Sequence, residues 1–386
     1  MLLCQTPHST NLPIPLNRLP NYYRITIELL SFRTVVPHYR SVMTTVVSKS
    51  SFSLKPFAPI LGVLVALMLS SILIILSGVN PLEAFGVLMS GAFGGGRQIT
   101  ETLLKATPIL IIALGLTVAF RARVWNIGAE GQYHIGALAG GAIALLFPQL
   151  PGIVMLPLML LAGLVGGLLW SAVAGLLHLK RGVNLIICTL MLNYIGILLV
   201  QYVSRAPLRD PNGFLPETAR FVAAAQMPRL FGSRLHLGIL IALLLVGLTA
   251  LLLWRSPLGF RLRAVGANLN VARSVGIAPS RHVLTALLLS GALAGLAGVI
   301  EVSYTYTRLK PNISDGYGFT GILVALLGQL SPVGCLIAAL LFSGLVVGAQ
   351  ALNVSLQVPA AVAGVLQALL VLGVLAGSAI AQREDL

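Results

Sequence analysis

The segment from Asn126 to Gln132 places three polar side chains and two glycines directly before a run of small and apolar residues. Asn126, Glu130 and Gln132 supply donors and acceptors that suit sugar hydroxyls or the edges of nucleobases. Gly128 and Gly131 let backbone groups join them, because a glycine has no Cβ atom to keep a ligand away. These residue types predict a site for a small polar solute.

Glu130 is the most informative of these side chains. An unpaired carboxylate that faces lipid costs several kcal/mol, so Glu130 is expected to face protein or water. Two interpretations stay open. Glu130 lines the path of a solute, or it pairs with Arg121 or Arg123 and holds a broken helix together.

Three further polar positions lie within or at the end of apolar runs. Asn193 and Tyr194 fall mid-way along Leu185 to Val203, where an asparagine can hydrogen-bond across helices or line a pathway. Glu301 ends another run and is followed by Tyr304 and Tyr306. An interfacial aromatic belt accounts for these tyrosines without a ligand.

The sequence carries no recognisable catalytic motif. It has no phosphate-binding loop of the Walker type, no Gly-x-Ser-x-Gly elbow and no His-Glu-x-x-His pair. Its three cysteines, Cys4, Cys188 and Cys335, fit no disulfide or metal-site spacing. We therefore expect no enzyme activity, no metal and no cofactor bound by this chain.

The composition identifies the elements that must position these residues. Of 386 residues, 57% are hydrophobic and 9% are charged, whereas a soluble domain carries about 25% charged residues. The net charge of +15 is assigned to loops against anionic lipid and partner proteins, not to nucleic acid. The chain is predicted to be an all-α polytopic membrane protein.

Apolar runs and their breakers predict about ten transmembrane segments. They are Phe57 to Val79, Pro108 to Phe120, Ile127 to Phe147, Ile153 to Leu177, Leu185 to Val203, Leu235 to Trp254, Val283 to Ser303, Tyr317 to Leu330, Val333 to Leu352 and Pro359 to Ile380. Pro108 to Phe120 and Tyr317 to Leu330 fall short of the roughly 20 residues that cross a bilayer. Each is expected to be a half-helix, a re-entrant segment or a tilted short span.

Two distant stretches share one pattern. Asn126 to Gly140 and Gly316 to Gly328 each put a glycine-rich polar start before a small-residue helix. Such paired interruptions indicate two inverted-repeat-like halves with a site near the membrane midplane. Two unrelated glycine-rich helix starts are the alternative.

The basic loop from Arg255 to His282 contains five arginines before His282 and no acidic residue. Asn268 as N-cap and Gly276 as C-terminal cap, with Pro279 beyond, predict a short helix. Such a helix buries no core of its own, so docking on another protein is one interpretation. A loop that only fixes membrane topology is the other.

Here the sequence resembles a known family. The runs Gly259-Phe-Arg-Leu-Arg-Ala-Val-Gly-Ala-Asn268 and Ala272-Arg-Ser-Val-Gly276 are similar to the coupling loop of permeases of ATP-binding-cassette (ABC) importers. The group in question handles nucleosides, simple sugars and branched-chain amino acids. Asn126-Ile-Gly-Ala-Glu-Gly-Gln132, Met191-Leu-Asn-Tyr-Ile195 and the stretch from Gly316 resemble its nucleoside-type members.

The resemblance implies a set of partners and roles. Two permeases, identical or similar, would enclose the path, and an extracytoplasmic substrate-binding lipoprotein would deliver solute. Cassette ATPase subunits, carrying ATP and Mg²⁺, would dock on the basic loop. The coupling residues on this interpretation are Gly259, Arg261, Arg263, Asn268, Ala272, Arg273 and Gly276. A secondary transporter that uses Glu130 is the alternative function.

Domain limits and orientation complete the sequence predictions. Residues 1–54 are expected to form a disordered cytoplasmic arm, with Met43 as a possible true start, and residues 55–386 a single permease domain with the loop at 255–282. Lys and Arg are more frequent in the loops that lie inside when both termini are cytoplasmic, and this distribution predicts that orientation. The expected location is the bacterial cytoplasmic (inner) membrane.

Overall fold

The computed structural model describes residues 58–230 and 232–383, which contain thirteen α-helices and two isolated β-bridges. The helices are α1 Ala58–Leu76, α2 Pro81–Phe93, α3 Gly96–Arg121, α4 Ala129–Leu146, α5 Gly152–Arg181, α6 Leu185–Arg205, α7 Gly238–Arg255, α8 Pro257–Ala267, α9 Leu269–Ser274, α10 Pro279–Glu301, α11 Tyr317–Leu327, α12 Pro332–Leu356 and α13 Ala360–Arg383. The predicted arm 1–54 and Met43 lie outside the described residues. The all-α class is confirmed.

Six of the described helices are long and apolar enough to cross a membrane: α3, α5, α6, α7, α12, and α10 with its extension to Tyr306. A seventh crossing results if Leu64–Leu76 and Pro81–Phe93, which meet at 110°, form one broken span. The chain is thus a multi-pass membrane protein. Ten spans and an inverted repeat stay predictions.

The prediction that Pro108 to Phe120 is a short segment is wrong. It is the second half of α3, a continuous helix of 26 residues with Pro108 inside it. The first turns escape a hydropathy search because they are polar, yet their polar groups have protein partners. Glu101 pairs with Arg234, and the Thr102 hydroxyl donates to the carbonyl of Ala92 at 2.9 Å. By contrast, α11 is short, at 11 residues, as the sequence predicts.

Small residues determine how the central helices cross. Helices α3, α4 and α5 all pack on α10, and α5 meets it through facing glycines. A Cβ on Gly167 would lie 2.2 Å from the carbonyl oxygen of Gly291, and one on Gly295 would lie 2.2 Å from that of Gly163. Backbones therefore touch where side chains would otherwise separate them, which is the packing expected of membrane helices.

The loop between α6 and α7 covers the C-terminal end of α10. There α10 continues as a π-helical turn, Val302–Tyr306, which leaves backbone carbonyls available to other segments. Met227 N donates to Ser303 O at 3.0 Å, and Phe221 N donates to Thr307 O at 2.8 Å. The side chains of Phe221 and Met227 are buried beneath the loop, which is thereby fixed to the helix bundle.

Candidate functional site

The start of α4 is a closed hydrogen-bond network. The Asn126 amide donates to Gln132 Oε1 at 2.9 Å and to Ser290 Oγ at 3.0 Å. Gly128 N and the Gln132 amide both donate to Asn126 Oδ1, at 2.9 and 3.1 Å. Asn126 and Gln132 are buried and bond to protein groups, so in this conformation they hold α4 against α10.

Glu130 joins the starts of two helices. Its Oε2 accepts a hydrogen bond of 2.6 Å from the backbone N–H of Gly318, in the first turn of α11. Glu130 also stands in the first turn of α4, so its negative charge lies at the positive ends of both helix dipoles. The two glycine-rich starts, 188 residues apart, therefore meet at this carboxylate. We call the contact of Glu130 with Gly318 the junction.

The ion pair with Arg121 or Arg123 is not formed. Arg121 donates instead from Nε to the carbonyl of Leu330 at 2.9 Å, and Arg123 is exposed. Among the described residues, the basic side chain within 4 Å of the Glu130 carboxyl group is that of His134, whose Nδ1 lies 3.7 Å from Oε1. Glu130 is buried among protein groups, as expected because a charge that faces lipid is energetically costly.

The structure separates Asn193 from Tyr194. Asn193 is buried, accepts from Gly131 N at 2.7 Å and donates to Ile127 O at 2.7 Å, so it connects α6 to the start of α4. Tyr194 points away and is 58% exposed. Asn193 thus lies beside Asn126, Glu130 and Gln132, whereas Tyr194 does not.

No room for a solute remains at the junction in this conformation. A Cβ on Gly318 would lie 2.3 Å from Glu130 N, and one on Gly131 would lie 2.8 Å from Leu192 O. The backbones here are in direct contact, so access would require α4 and α11 to move apart.

A polar pocket of about 270 Å³ lies elsewhere, between α3, the end of α10 and the loop that covers it. Its charged walls are Glu101, Lys105, Arg220, Arg229, Arg234 and Glu301. The sequence does not predict this pocket, because its residues come from three distant segments. The one available signal was Glu301, an acidic residue within an apolar run.

Glu301 is the buried carboxylate of the polar pocket, with 4% of its surface exposed. Thr305, one turn along the π-helical extension, and Lys105, on α3, are close enough to interact with its carboxyl group. Thr307 follows in a left-handed conformation, with φ of 52°, which few non-glycine residues adopt. The wall beside Glu301 is thus built from two unusual backbone features.

Lys105 connects the polar pocket to the junction. Its Nζ donates to the hydroxyl of Tyr317 at 2.9 Å and lies 3.5 Å from Asp315. Tyr317 is the first residue of α11, next to Gly318, whose N–H binds Glu130. One side chain therefore separates the wall of the pocket from the first turn of α11.

His236 supports the loop beside the polar pocket. Its ring stacks on Tyr304 with centroids 4.3 Å apart, and its Nδ1 accepts from Gly238 N at 3.0 Å. Burial lowers the pKa of His236 to about 4, because a charged imidazolium would lose its hydration. His236 is therefore neutral at pH 7, which is the form that can accept from Gly238.

The basic loop forms the two helices α8 and α9. Asn268 caps α9 as predicted, with its Oδ1 accepting from Asn270 N and Val271 N at 2.9 and 3.2 Å. Gly276 ends the turn with a φ of 79°, and Ile277 N donates to Ala272 O at 3.0 Å. The predicted caps of the short helix are confirmed.

The two faces of α9 differ in exposure. Ala272 is buried against the bundle, whereas Leu269, Val271 and Val275 are 49%, 59% and 67% exposed beside the exposed Arg273. An apolar surface with a cation next to it is typical of a protein contact.

Helix α8 is seated directly on the ends of α3 and α7. A Cβ on Gly266 would lie 2.0 Å from Arg121 O, and one on Gly259 would lie 2.0 Å from Leu252 O. The guanidinium groups of Arg121 and Arg263 stand 5.1 and 4.8 Å from the ring centroid of Trp254. Arg261, by contrast, is exposed. The loop is therefore attached to the bundle through backbone contact and cation–π stacking.

Comparison with known proteins gives one family match. Residues 98–375 match the family described as the permease component of the branched-chain amino acid transport system. A glucose ABC transporter permease protein of Haloferax volcanii is 36% identical over 81% of this chain and 85% of its own.

Two bacterial relatives cover similar shares. A guanosine ABC transporter permease protein of Bacillus subtilis is 33% identical over 83% of this chain and 93% of its own. A nucleoside ABC transporter permease protein of Lactococcus lactis is 31% identical over 78% and 85%. No solved structure matches the chain.

Proposed function

The chain belongs to the permease family of branched-chain amino acid transport systems, and from that premise we propose that it imports a nucleoside or a simple sugar. The observation that carries the choice of solute is similarity over most of the chain to permeases named for glucose, guanosine and nucleosides. ABC permeases of this family move their solute by alternating access, which needs two conformations of one path.

The energy source is assigned to partner subunits. Cassette ATPases, with ATP and Mg²⁺, would dock on α8 and α9, where Leu269, Val271 and Val275 present an apolar surface beside Arg273. The remaining coupling residues, Gly259, Arg261, Arg263, Asn268, Ala272 and Gly276, would shape and seat these helices. A second permease and an extracytoplasmic binding lipoprotein complete the proposed complex.

The pathway role of Asn126, Glu130, Gln132, Asn193 and Tyr194 stays a prediction. The first four bond to protein groups here, so they would meet solute only after the junction opens. Family membership favours the importer over a secondary transporter, whose coupling ion would need Glu130 to be free. The proposed location is the cytoplasmic membrane, with both termini inside.

Reconstitution tests this proposal. The permease, its partner permease if one exists and the ATPase are placed in proteoliposomes with the cognate binding protein, and uptake of labelled guanosine, uridine and glucose is measured. We expect ATP-dependent uptake of one solute class that survives dissipation of ion gradients by ionophores. An ATPase variant unable to hydrolyse ATP is the control. Uptake driven by an ion gradient without ATP would contradict the proposal.

A further inference from the structure

We propose that the polar pocket is the site that receives the solute from the binding protein, with Glu301 as the acceptor for its hydroxyl groups. This assignment rests on the proposed function, since it takes the solute to be a nucleoside or a simple sugar. It places first contact with solute at the end of α10, not at the junction.

The size and chemistry of the pocket agree with such a solute. Small-molecule sites span about 300–1,000 Å³, and the pocket, at about 270 Å³, lies just below that range, which suits one sugar or one nucleoside better than a longer saccharide. A buried carboxyl group offers two oxygens to neighbouring hydroxyls of a solute, and these hydrogen bonds fix its orientation. Arg229 on the opposite loop supplies donors for a ring oxygen or a carbonyl, and the Gln226 amide, which donates to Phe221 O at 3.0 Å, has a second N–H.

The charges of the pocket are arranged to leave Glu301 for a ligand. Glu101 is paired with Arg234, and Arg220 donates to Thr307 Oγ1 at 3.2 Å. Lys105 is directed to Tyr317 and Asp315. Glu301 lies near the neutral Thr305 on its own helix and lines the cavity, so its oxygens are available to a ligand.

The backbone at this wall has the character of a binding site. π-helical turns and left-handed non-glycine residues are uncommon and concentrate where a function requires them. Here Val302–Tyr306 and Thr307 supply both within a few residues of Glu301. The surrounding loop holds them in place through Phe221 and Met227.

The position of the pocket links solute to the junction. From Pro279, beside the basic loop, α10 rises about 33 Å to Glu301, so the pocket lies at the far end from the proposed ATPase contact. Solute that competes for Lys105 would release Tyr317, the first residue of α11. Occupancy of the pocket is thereby coupled to the helix start that Glu130 holds.

Cysteine protection tests the assignment in the complete transporter. Cys188 and Cys335 are buried, and Cys4 is replaced by Ser. Thr305→Cys puts a thiol in the pocket wall, and Asn212→Cys puts one on the exposed loop after α6, outside the pocket. A membrane-impermeant maleimide is added to proteoliposomes with free solute, without binding protein. At about ten times the dissociation constant, solute should slow labelling of Thr305→Cys about tenfold and leave Asn212→Cys unchanged.

The other outcomes overturn the assignment. Equal labelling of Thr305→Cys with and without a solute that the transporter imports excludes solute from the pocket. Protection by the binding protein alone, with or without solute, makes the pocket part of a protein docking surface. A transporter that imports neither nucleosides nor sugars overturns the proposed function and this assignment with it.

A second variant gives an independent readout. Glu301→Gln keeps the shape of the side chain and replaces one carboxyl oxygen by an NH2 donor, so the solute concentration for half-maximal uptake should rise about tenfold. Binding-protein affinity and assembly with the ATPase should stay at the wild-type level. Glu83→Gln, an exposed carboxylate on α2, is the matched control and should change neither. Equal half-saturation in Glu301→Gln and wild type would overturn the role of Glu301.

Discussion

At the residue scale, the junction explains why Glu130 is tolerated inside an apolar bundle. Its carboxylate accepts from Gly318 N and lies in the first turn of α4 at the same time. The charge is stabilised by two helix dipoles and one strong hydrogen bond rather than by a cation. Glu130 holds the starts of α4 and α11 together. This is a structural role, as in the ion-pair interpretation, but the partner is a backbone N–H and not an arginine.

The first prediction concerns Gly318. Gly318→Ala should prevent α4 and α11 from meeting, because the added Cβ would lie 2.3 Å from Glu130 N, which is backbone and cannot rotate away. Overpacking of this kind costs about 1–3 kcal/mol or more. We expect less detergent-stable permease and a lower apparent melting temperature, measured by fluorescence-detected size-exclusion chromatography.

The matched control is Gly247→Ala in α7, where nothing lies within 4 Å of the new Cβ. It should be neutral or slightly stabilising, because alanine favours helix over glycine. If the two variants melt at the same temperature, the junction is not as tightly closed as its geometry indicates.

The sequence predicted that Glu130 faces protein or water, but it did not predict the hydrogen-bond partner of Glu130. Membrane energetics require the carboxylate to face protein, and that much follows from one residue in an apolar run. Gly318 is 188 residues away, and no local pattern joins a backbone N–H to a particular acid at that separation. The partners of Glu301 escaped for the same reason, since Arg229 and Lys105 come from other segments.

At the element scale, short-range rules worked where the chain makes its own caps. Asn268 and Gly276 predicted α9 correctly because capping depends on side chains and φ values within one or two turns. Helix α3 was misjudged because hydropathy treats Glu101 and Lys105 as breaks. Their partners, Arg234 and Tyr317, come within contact distance only when the chain folds.

A second prediction addresses α9. Arg273→Glu should weaken association with the ATPase and uncouple ATP hydrolysis from uptake, because the Arg273 side chain is exposed beside the apolar surface. Gly276→Val should act in the same direction by opposing the φ of 79°. Co-purification of the ATPase and transport-stimulated ATP hydrolysis are the measurements.

Arg281→Glu is the matched control for this prediction, since Arg281 is also an exposed arginine of the basic loop but lies in the first turn of α10. Its effect should be smaller. Wild-type coupling in Arg273→Glu would reduce the loop to a topology signal.

A third prediction follows from His236. Its pKa in the folded loop is about 4, below the ordinary value of 6.5, so the unfolded loop binds a proton first as pH falls. Stability from this residue is complete above pH 6.5 and is lost between pH 6.5 and 4, at about 1.4 kcal/mol per pH unit. Proteolysis of the loop 206–237 should therefore accelerate from pH 6.5 to 5.

His236→Gln removes the titrating group and keeps a side-chain acceptor for Gly238 N. In that variant the change in proteolysis between pH 6.5 and 5 should shrink. An equal pH dependence in both proteins would assign the effect to another group, such as the acidic residues of the same loop.

At the scale of the whole molecule, the two candidate functional regions lie at opposite ends of the bundle. The basic loop stands at the start of α10, and the polar pocket stands at its end. From the positive-inside rule we propose that the loop faces the cytoplasm and that the pocket faces outside.

A fourth prediction tests this orientation. In intact cells, an impermeant thiol reagent should label Asn212→Cys, which is exposed on the loop after α6. It should label Arg273→Cys only after the membrane is made permeable. The opposite pattern would invert the topology and remove the ATPase contact from α9.

Helix α3 gives this arrangement a mechanical consequence. Its 26 residues make a rod about 39 Å long, with α8 resting on the backbone of Arg121 at one end and Lys105 in the wall of the polar pocket toward the other. Pro108 lies between Arg121 and Lys105, and the residues from Ala106 to Phe120 are buried. We therefore expect a push on α8 to reach Lys105 through movement of α3 itself, with Pro108 as the point where the helix bends.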